Sequence, residues 1–345
     1  MKISTIGLDL AKNVFTLHGV NERGEVIFRK SLKRAQVLPF FSRLERCLIG
    51  MEACGGAHDW GRRLMAMGHD VRLMPASYVK PYIKRGKTDA NDAAAICEAV
   101  TRPTMSFVPV KTVEQQGVIT LHRVRRMLVE QKVMLENSIR SLCAEFGIVA
   151  ITGRTGIVAL QRLSREMELP QTALRSLSTQ FKMYEQLMIE IADLKQEIVV
   201  LVKNDPISRR LETIPGVGPI TASIVPAIVG DPMRFKSGRQ FAAWLGLTPR
   251  LDGTGGKTKL GPISKRGDRY LRSLFVEGAC SVLMAARKPG TKASEWVKKL
   301  AARKEYKIAA VALANKNARI AWALMAKGGR YDPARQVVPP VKIAA

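Results

Sequence analysis

The period of apolar and polar positions changes twice along the chain, and these changes divide it into three regions. Residues 3 to 8 are apolar and extended in character, VFTLHGV follows after a short AKN connection, and the turn NERGE separates it from VIFRKS. Short apolar runs with turn residues between them predict a three-strand meander. The helical pattern of QVLPFFSRLERC leads to a fourth apolar run, CLIGMEA. A second helix (HDWGRRLMAMG), a fifth strand (DVRLMPA) and a helix from about Thr88 to Val100 complete the region.

The order βββαβαβα over residues 1–108 implies a mixed α/β sheet covered on both faces, the arrangement of the ribonuclease-H-like fold. After Pro103 and Pro109 the period lengthens. Leu121, Val124, Leu128, Leu135, Leu142 and Phe146 recur at three- and four-residue spacing, and Tyr184, Leu187, Ile191, Leu194, Ile198 and Leu201 form a second stripe. Residues 109–204 are therefore expected to be a helical, coiled-coil region. Gln131 and Ser138 fall on the first stripe, so a pairing between chains is no better supported than a hairpin within one. Residues 205–330 are expected to be a mainly α-helical, basic domain, and residues 331–345, ending VVPPVKIAA, a disordered tail.

Composition narrows the function. In 345 residues, 46% hydrophobic, 56 Lys and Arg stand against 29 Asp and Glu, a formal charge of +27. Such a chain repels itself unless a polyanion neutralises it, and the spread of basic residues among apolar ones points to nucleic acid rather than to a membrane surface. Cys47, Cys54, Cys97, Cys143 and Cys280 form no C-x-x-C pair, and His18, His58, His69 and His122 have no zinc-ligand spacing. Reduced packing thiols are expected. The opening MKISTIGLDLAKN lacks a signal-peptide h-region and no run reaches transmembrane length, so the expected compartment is the cytoplasm.

The acids at the ends of the apolar runs carry the candidate chemistry. Asp9 ends the first strand, Glu52 ends the fourth, and Asp89 and Asp92 stand at i and i+3 on one face of the last helix of the unit. Singly, each is as readily a surface acid or a helix cap. Together they converge, because the first and fourth strands of such a sheet are neighbours, and four carboxylates repel one another unless cations such as a pair of Mg²⁺ ions lie between them. Lys80, Lys84, Arg85 and Lys87 form a basic loop just before, suited to a phosphate backbone.

Further along, IPGVG fits the turn of a helix-hairpin-helix, where Gly216 and Gly218 would let backbone N–H groups approach a phosphate; a plain helix–helix turn fits equally well. GTGGKTKLG is not a nucleotide-binding P-loop, since position 251 is Leu251 rather than glycine and Pro262 follows. Lys257 and Lys259 are expected to be phosphate contacts on a flexible loop. In ISKRGD, Ser264 stands among Lys265, Arg266 and Arg269, a hydroxyl in a strongly positive setting that is a candidate nucleophile or a plain loop serine.

The blocks GLDLAKN, GMEACGG, KTDANDA, IPGVGPITA, FAAWLGLTPR and ISKRGDRYLR, in this order, resemble the DEDD transposases of bacterial insertion elements, which include Piv-type invertases and RNA-guided bridge recombinases. The resemblance covers nearly the whole chain. It implies a RuvC-like catalytic domain with Asp9, Glu52, Asp89 and Asp92 as ligands of Mg²⁺ or Mn²⁺, and Ser264 as the active-site serine. It also implies a homo-oligomer, dimer or tetramer, that acts on paired DNA sites, and a structured guide RNA. The alternatives are a junction nuclease that uses water with the same acids, and a non-catalytic basic scaffold.

Overall fold

Five strands order the N-terminal part: β1 (Thr5–Asp9), β2 (Val14–Val20), β3 (Val26–Lys33), β4 (Leu48–Glu52) and β5 (Asp70–Met74). The structure, a computed structural model, describes residues 2–84, 86, 88–254, 257–291 and 293–333. The strands lie side by side in the order β3-β2-β1-β4-β5. The pairs β1/β2 and β2/β3 are antiparallel, as short turns require, while β1/β4 and β4/β5 are parallel, with a helix in the connections that lead from β3 into β4 and from β4 into β5. Alternation assigns the two faces. Ile6, Leu8, Phe15, Leu17, Ile49 and Met51 enter one core with Trp60 and Leu64 of α2 (Ala57–Ala66), which follows the short α1 (Val37–Phe41).

The other face is covered by α4 (Asp89–Val100), which follows the short α3 (Ala76–Val79). Both faces are thus buried, as the strand and helix order predicts. One expected helix is much shorter than its pattern: QVLPFFSRLERC is helical only over Val37–Phe41, after a 3₁₀ turn at Arg34–Gln36. Phe41 is fully buried against the His69 ring, and the chain turns there to enter β4.

The chain divides between Gln116 and Gly117 into two compact units. The second holds long helices, α5 (Val113–Ala144), α6 (Arg154–Glu166) and α7 (Gln171–Asn204), of which α5 starts just before the division. The expected stripes are only partly the buried ones. Leu135, Ile139 and Cys143 of α5 pack with Leu160 of α6 and Leu177, Phe181 and Tyr184 of α7, whereas Val124 and Leu142 stay exposed. Gln180 Nε2 donates to Ser138 Oγ at 3.1 Å and Tyr184 Oη to Glu136 Oε1 at 3.1 Å, so α5 and α7 pair within one chain.

The largest core gathers α8 (Pro206–Glu212), α9 (Pro219–Val229), α10 (Gly238–Trp244), α11 (Arg269–Ala286), α12 (Glu295–Arg303) and α13 (Tyr306–Lys327), with Ile119 and Val202 of the long helices. Side chains cap four of these: Asp205 accepts from Ser208 N, Ser237 from Gln240 N, Asp268 from Leu271 N and Ser294 from Val297 N. The segment expected as a flexible loop is instead an antiparallel hairpin, β6 (Pro249–Thr254) and β7 (Lys257–Ile263), whose ladder binds both Lys257 and Lys259. The absence of a helix after Lys257 agrees with rejecting a P-loop. In the expected tail, Tyr331 packs on the main core, and residues 334–345 lie outside the described residues.

Candidate active site

Parallel pairing sets Leu8 opposite Met51, so Asp9 and Glu52 leave the same end of neighbouring strands. Asp9 also shares a face with Gly7, and Glu52 with Gly50. That face receives α4, and it does so because both positions are glycine. A Cβ on Gly7 would collide with the Ala93 carbonyl and the Cys97 backbone, and one on Gly50 would come within 2.8 Å of Val100 Cβ. The helix therefore lies directly on the backbone of β1 and β4.

Its N-terminus is aimed by a cap. Extended Thr88 accepts a hydrogen bond from Asn91 N at 3.3 Å, and Asn91 Nδ2 donates to the Gly86 carbonyl at 2.8 Å. Asp89 and Asp92 then fall in the first turn, where the helix dipole favours negative charge. One oxygen from each of Asp9, Asp89 and Asp92 lies within 4.8 Å of the others. Glu52 borders this group and acts on it electrostatically. Its own carboxyl is pushed up by burial, then by Asp9 and Asp92. Asp9 is likewise raised, by burial first and then by Asp92 and Asp89.

This arrangement fits a hard divalent cation. The donors are all carboxylate oxygens, and among the described residues Asp92 Oδ1 is buried with no hydrogen-bond partner and none of the three acids has an ion pair. Lys84 lies close enough to the same sheet face to lower the His18 pKa, after burial and Arg29. Arg85 and Lys87 lie outside the described residues. Cys47, Cys97 and Cys143 are buried free thiols, as expected of packing residues, but Cys54 is exposed next to the acids, and burial of its sulfur, Glu52 and Asp9 raise its pKa.

In the second unit, Ser264 follows β7 in a tightly held loop. Ser264 N donates to the Thr248 carbonyl at 2.8 Å and Lys265 N to the Gly246 carbonyl at 3.2 Å. Lys265 has φ 53, and among the described residues it is the one non-glycine residue with positive φ. Such strain persists only where surrounding structure imposes it. Here Gly246 and Gly267 let the loop press on the end of α10, since a Cβ on Gly267 would strike the Trp244 carbonyl. The Arg272 guanidinium clamps the loop through the carbonyls of Leu245 and Arg266, both at 3.1 Å. The Ser264 hydroxyl is half-buried and accepts only a 3.5 Å contact from Arg266 N among the described residues. Lys265, Arg266 and Arg269 around it are exposed.

The start of α11, which follows the loop, is tied to α9 by His122, which sequence reasoning left without a role. Ser223 Oγ donates to the Pro219 carbonyl at 2.8 Å, so it accepts from His122 Nε2–H at 3.0 Å, leaving Nδ1 to accept from the Tyr270 hydroxyl at 3.1 Å. The imidazole is thereby held neutral, its pKa brought down to about 4 by burial and then Arg125. The IPGVG turn does join two helices, but Gly216, at φ 87, packs backbone to backbone against Gly278 of α11. Its missing side chain serves that contact, while Gly218 faces open space at the start of α9. Gly7, Gly50, Asn91 and His122 carried no sequence signal of their own, because each acts through a partner distant in the chain.

The model of the family described as Transposase IS116/IS110/IS902 matches residues 208–294, and a DEDD-type transposase model matches residues 6–147. Among similar proteins, the "Probable family 20 transposase" of Pseudomonas aeruginosa is 48% identical, covering 96% of this chain and all of the relative. The transposase for insertion sequence element IS1111A of Coxiella burnetii is 40% identical over 95% of this chain and 91% of its own length. That for IS1328 of Yersinia enterocolitica is 39% identical over 94% of this chain and 98% of its own. Similarity of this extent over both units means that the chain belongs to the DEDD transposases of the IS116/IS110/IS902 family of insertion elements.

Proposed function

We propose that this protein cuts and rejoins DNA through a covalent serine intermediate, with Asp9, Glu52, Asp89 and Asp92 holding Mg²⁺ or Mn²⁺. The observation that carries the reading is the convergence of Asp9, Asp89 and Asp92 at the end of β1, with a buried oxygen of Asp92 lacking a partner among the described residues. A divalent cation bound there would supply the positive charge that a phosphodiester needs as it accepts a nucleophile. Ser264 Oγ attacks phosphorus, the phosphorus–oxygen bond of the strand breaks, and the serine proton ends on the leaving oxygen. The phosphoserine ester conserves the energy of the broken bond, so a DNA hydroxyl can reverse the step and join a new partner without ATP.

The exposed cations Lys265, Arg266 and Arg269 support a phosphate at this loop, and the hydroxyl is not committed to a side-chain acceptor among the described residues. Lys84, Arg85, Lys87, Gly218, Lys257 and Lys259 are read as further backbone contacts. The exposed Val124, Met127 and Met134 of α5 and Ile189 and Val200 of α7 support a homo-oligomer assembled through these helices. The +27 charge is consistent with a structured guide RNA bound together with DNA.

The test is a suicide DNA substrate with peptide mapping of the adduct. Wild-type protein with Mg²⁺ is expected to give a DNA adduct on the peptide containing Ser264, and Asp9→Asn and Ser264→Ala to give none while still binding DNA. Wild-type cleavage with Ser264→Ala would move the assignment to a water-using nuclease.

A further inference from the structure

A groove of about 770 Å³ lies between α10, α12 and α13. It is lined by three cations, Arg239 from α10 and Lys316 and Arg319 from α13, and by the indoles of Trp296 and Trp322. The cations are brought together by a close helix crossing. Gly238 packs so tightly on α13 that a Cβ there would stand 3.0 Å from the Arg319 carbonyl oxygen, which sets the neighbouring Arg239 beside Arg319. Lys316 and Arg319, at i and i+3, share one face of α13.

None of the three forms an ion pair with a carboxylate among the described residues. Glu295, beside Trp296, is engaged by Lys298 at 2.9 Å. Lys316 instead rests its ammonium on the Trp296 ring, 3.7 Å from the centroid, an aromatic contact that leaves its charge available to an anion. Its pKa is lowered by burial first and then by Arg319. Trp322 is fixed in orientation by the hydrogen bond from Nε1 to the Pro232 carbonyl at 3.0 Å.

We infer that this groove binds one nucleotide of a single nucleic-acid strand, its phosphodiester between Arg239, Lys316 and Arg319 and its base against the tryptophans. The volume far exceeds that of a bare phosphate and falls within the size range of small-molecule sites. Cations with adjoining aromatic faces are the recurring means of holding a single strand without reading its sequence. The groove is also joined to the serine loop. Asn315, on its wall, donates from Nδ2 to the Leu247 carbonyl at 3.1 Å, one residue from Gly246, which holds Lys265. The inference rests on the chain acting on nucleic acid, but not on the role of Ser264 or of the acids. DNA and RNA share the chemistry, and the experiment separates them.

The test uses the full-length protein, as wild type, Arg239→Gln, Arg319→Gln and the double variant. Both arginines are exposed, so equal thermal midpoints are expected. Fluorescence anisotropy over a range of KCl, without divalent metal, follows binding of a short labelled oligodeoxynucleotide and of the oligoribonucleotide of the same sequence. The double variant should reduce the slope of log affinity against log salt by about 0.7, the value for one single-strand phosphate contact, and each single variant by a part of that. Loss with the DNA probe, the RNA probe or both supports the site and identifies the strand. Photocross-linking of iodouracil-substituted probes should label peptides containing Trp296 or Trp322. Unchanged slope and affinity of the double variant with both probes overturns the inference. Failure of the catalytic reading appears separately, as Mg²⁺-dependent cleavage by Asp9→Asn, which has the groove intact.

Discussion

At the scale of single residues, a buried and a half-buried titratable group make opposite predictions. His122 is held neutral between Ser223 and Tyr270, with its pKa lowered from 6.5 to about 4. The unfolded chain therefore binds more protons than the folded one between these values, so the stabilising contribution is complete above about pH 6.5 and is lost as pH falls through 4. It is worth roughly 3 kcal/mol at about 1.4 kcal/mol per tenfold change in proton affinity. Denaturant unfolding of wild type and His122→Gln across this range should show the variant less stable at neutral pH and less sensitive to acid. Equal pH dependence in the two proteins would contradict the assignment. Asp9 has the reverse sign: its raised pKa means that the metal-free fold is relieved by protonation and strained as pH rises through the folded value. Asp9→Asn should therefore stabilise the metal-free protein. Removing one like-charge contact is worth on the order of 1 kcal/mol, or about 2–4 °C in Tm. Mg²⁺ should raise the Tm of wild type and leave that of the variant unchanged, which differential scanning calorimetry with and without chelator can read.

At the scale of elements, the site depends on how closely α4 lies on β1 and β4. Gly7→Ala forces the helix away from the strand that carries Asp9, because the added methyl meets the backbone of α4 rather than a movable side chain. A cost of about 1–3 kcal/mol is expected from such overpacking, together with a larger fractional loss of Mg²⁺-induced stabilisation, measured by urea unfolding with and without the metal. An equally cheap substitution at Gly7 and at Gly117, which faces open space without a positive φ, would show that the contact is not limiting. The order of strands and helices in this unit was readable from hydrophobic period, as was the helix that begins after Thr88. The short span of α1 was not, since burial of Phe41 and the turn after it, rather than local propensity, end that helix. The β6/β7 hairpin was also missed, its Gly-rich sequence reading as loop until the ladder of Pro249 to Ile263 is seen.

At the scale of the whole molecule, the excess of 56 basic over 29 acidic residues predicts binding dominated by phosphate contacts. A protein neutralising about 6–10 phosphates loses about 10³–10⁵ in affinity between roughly 50 and 200 mM salt. Duplex DNA binding should fall with that steepness in filter-binding titrations, and a flat response would contradict the electrostatic reading. Net charge, strand order and the placement of Asp9, Glu52, Asp89 and Asp92 at the ends of apolar runs were determined by the sequence itself, because charge is additive and periodicity is local. Which of these acids share a volume, the packing of Gly216 on Gly278, the neutral His122 and the gathering of Arg239, Lys316 and Arg319 were decided only by tertiary structure. Each of these depends on a distance of closest approach between segments remote in the chain, and such a distance is set by packing of the whole core rather than by any stretch of residues read alone.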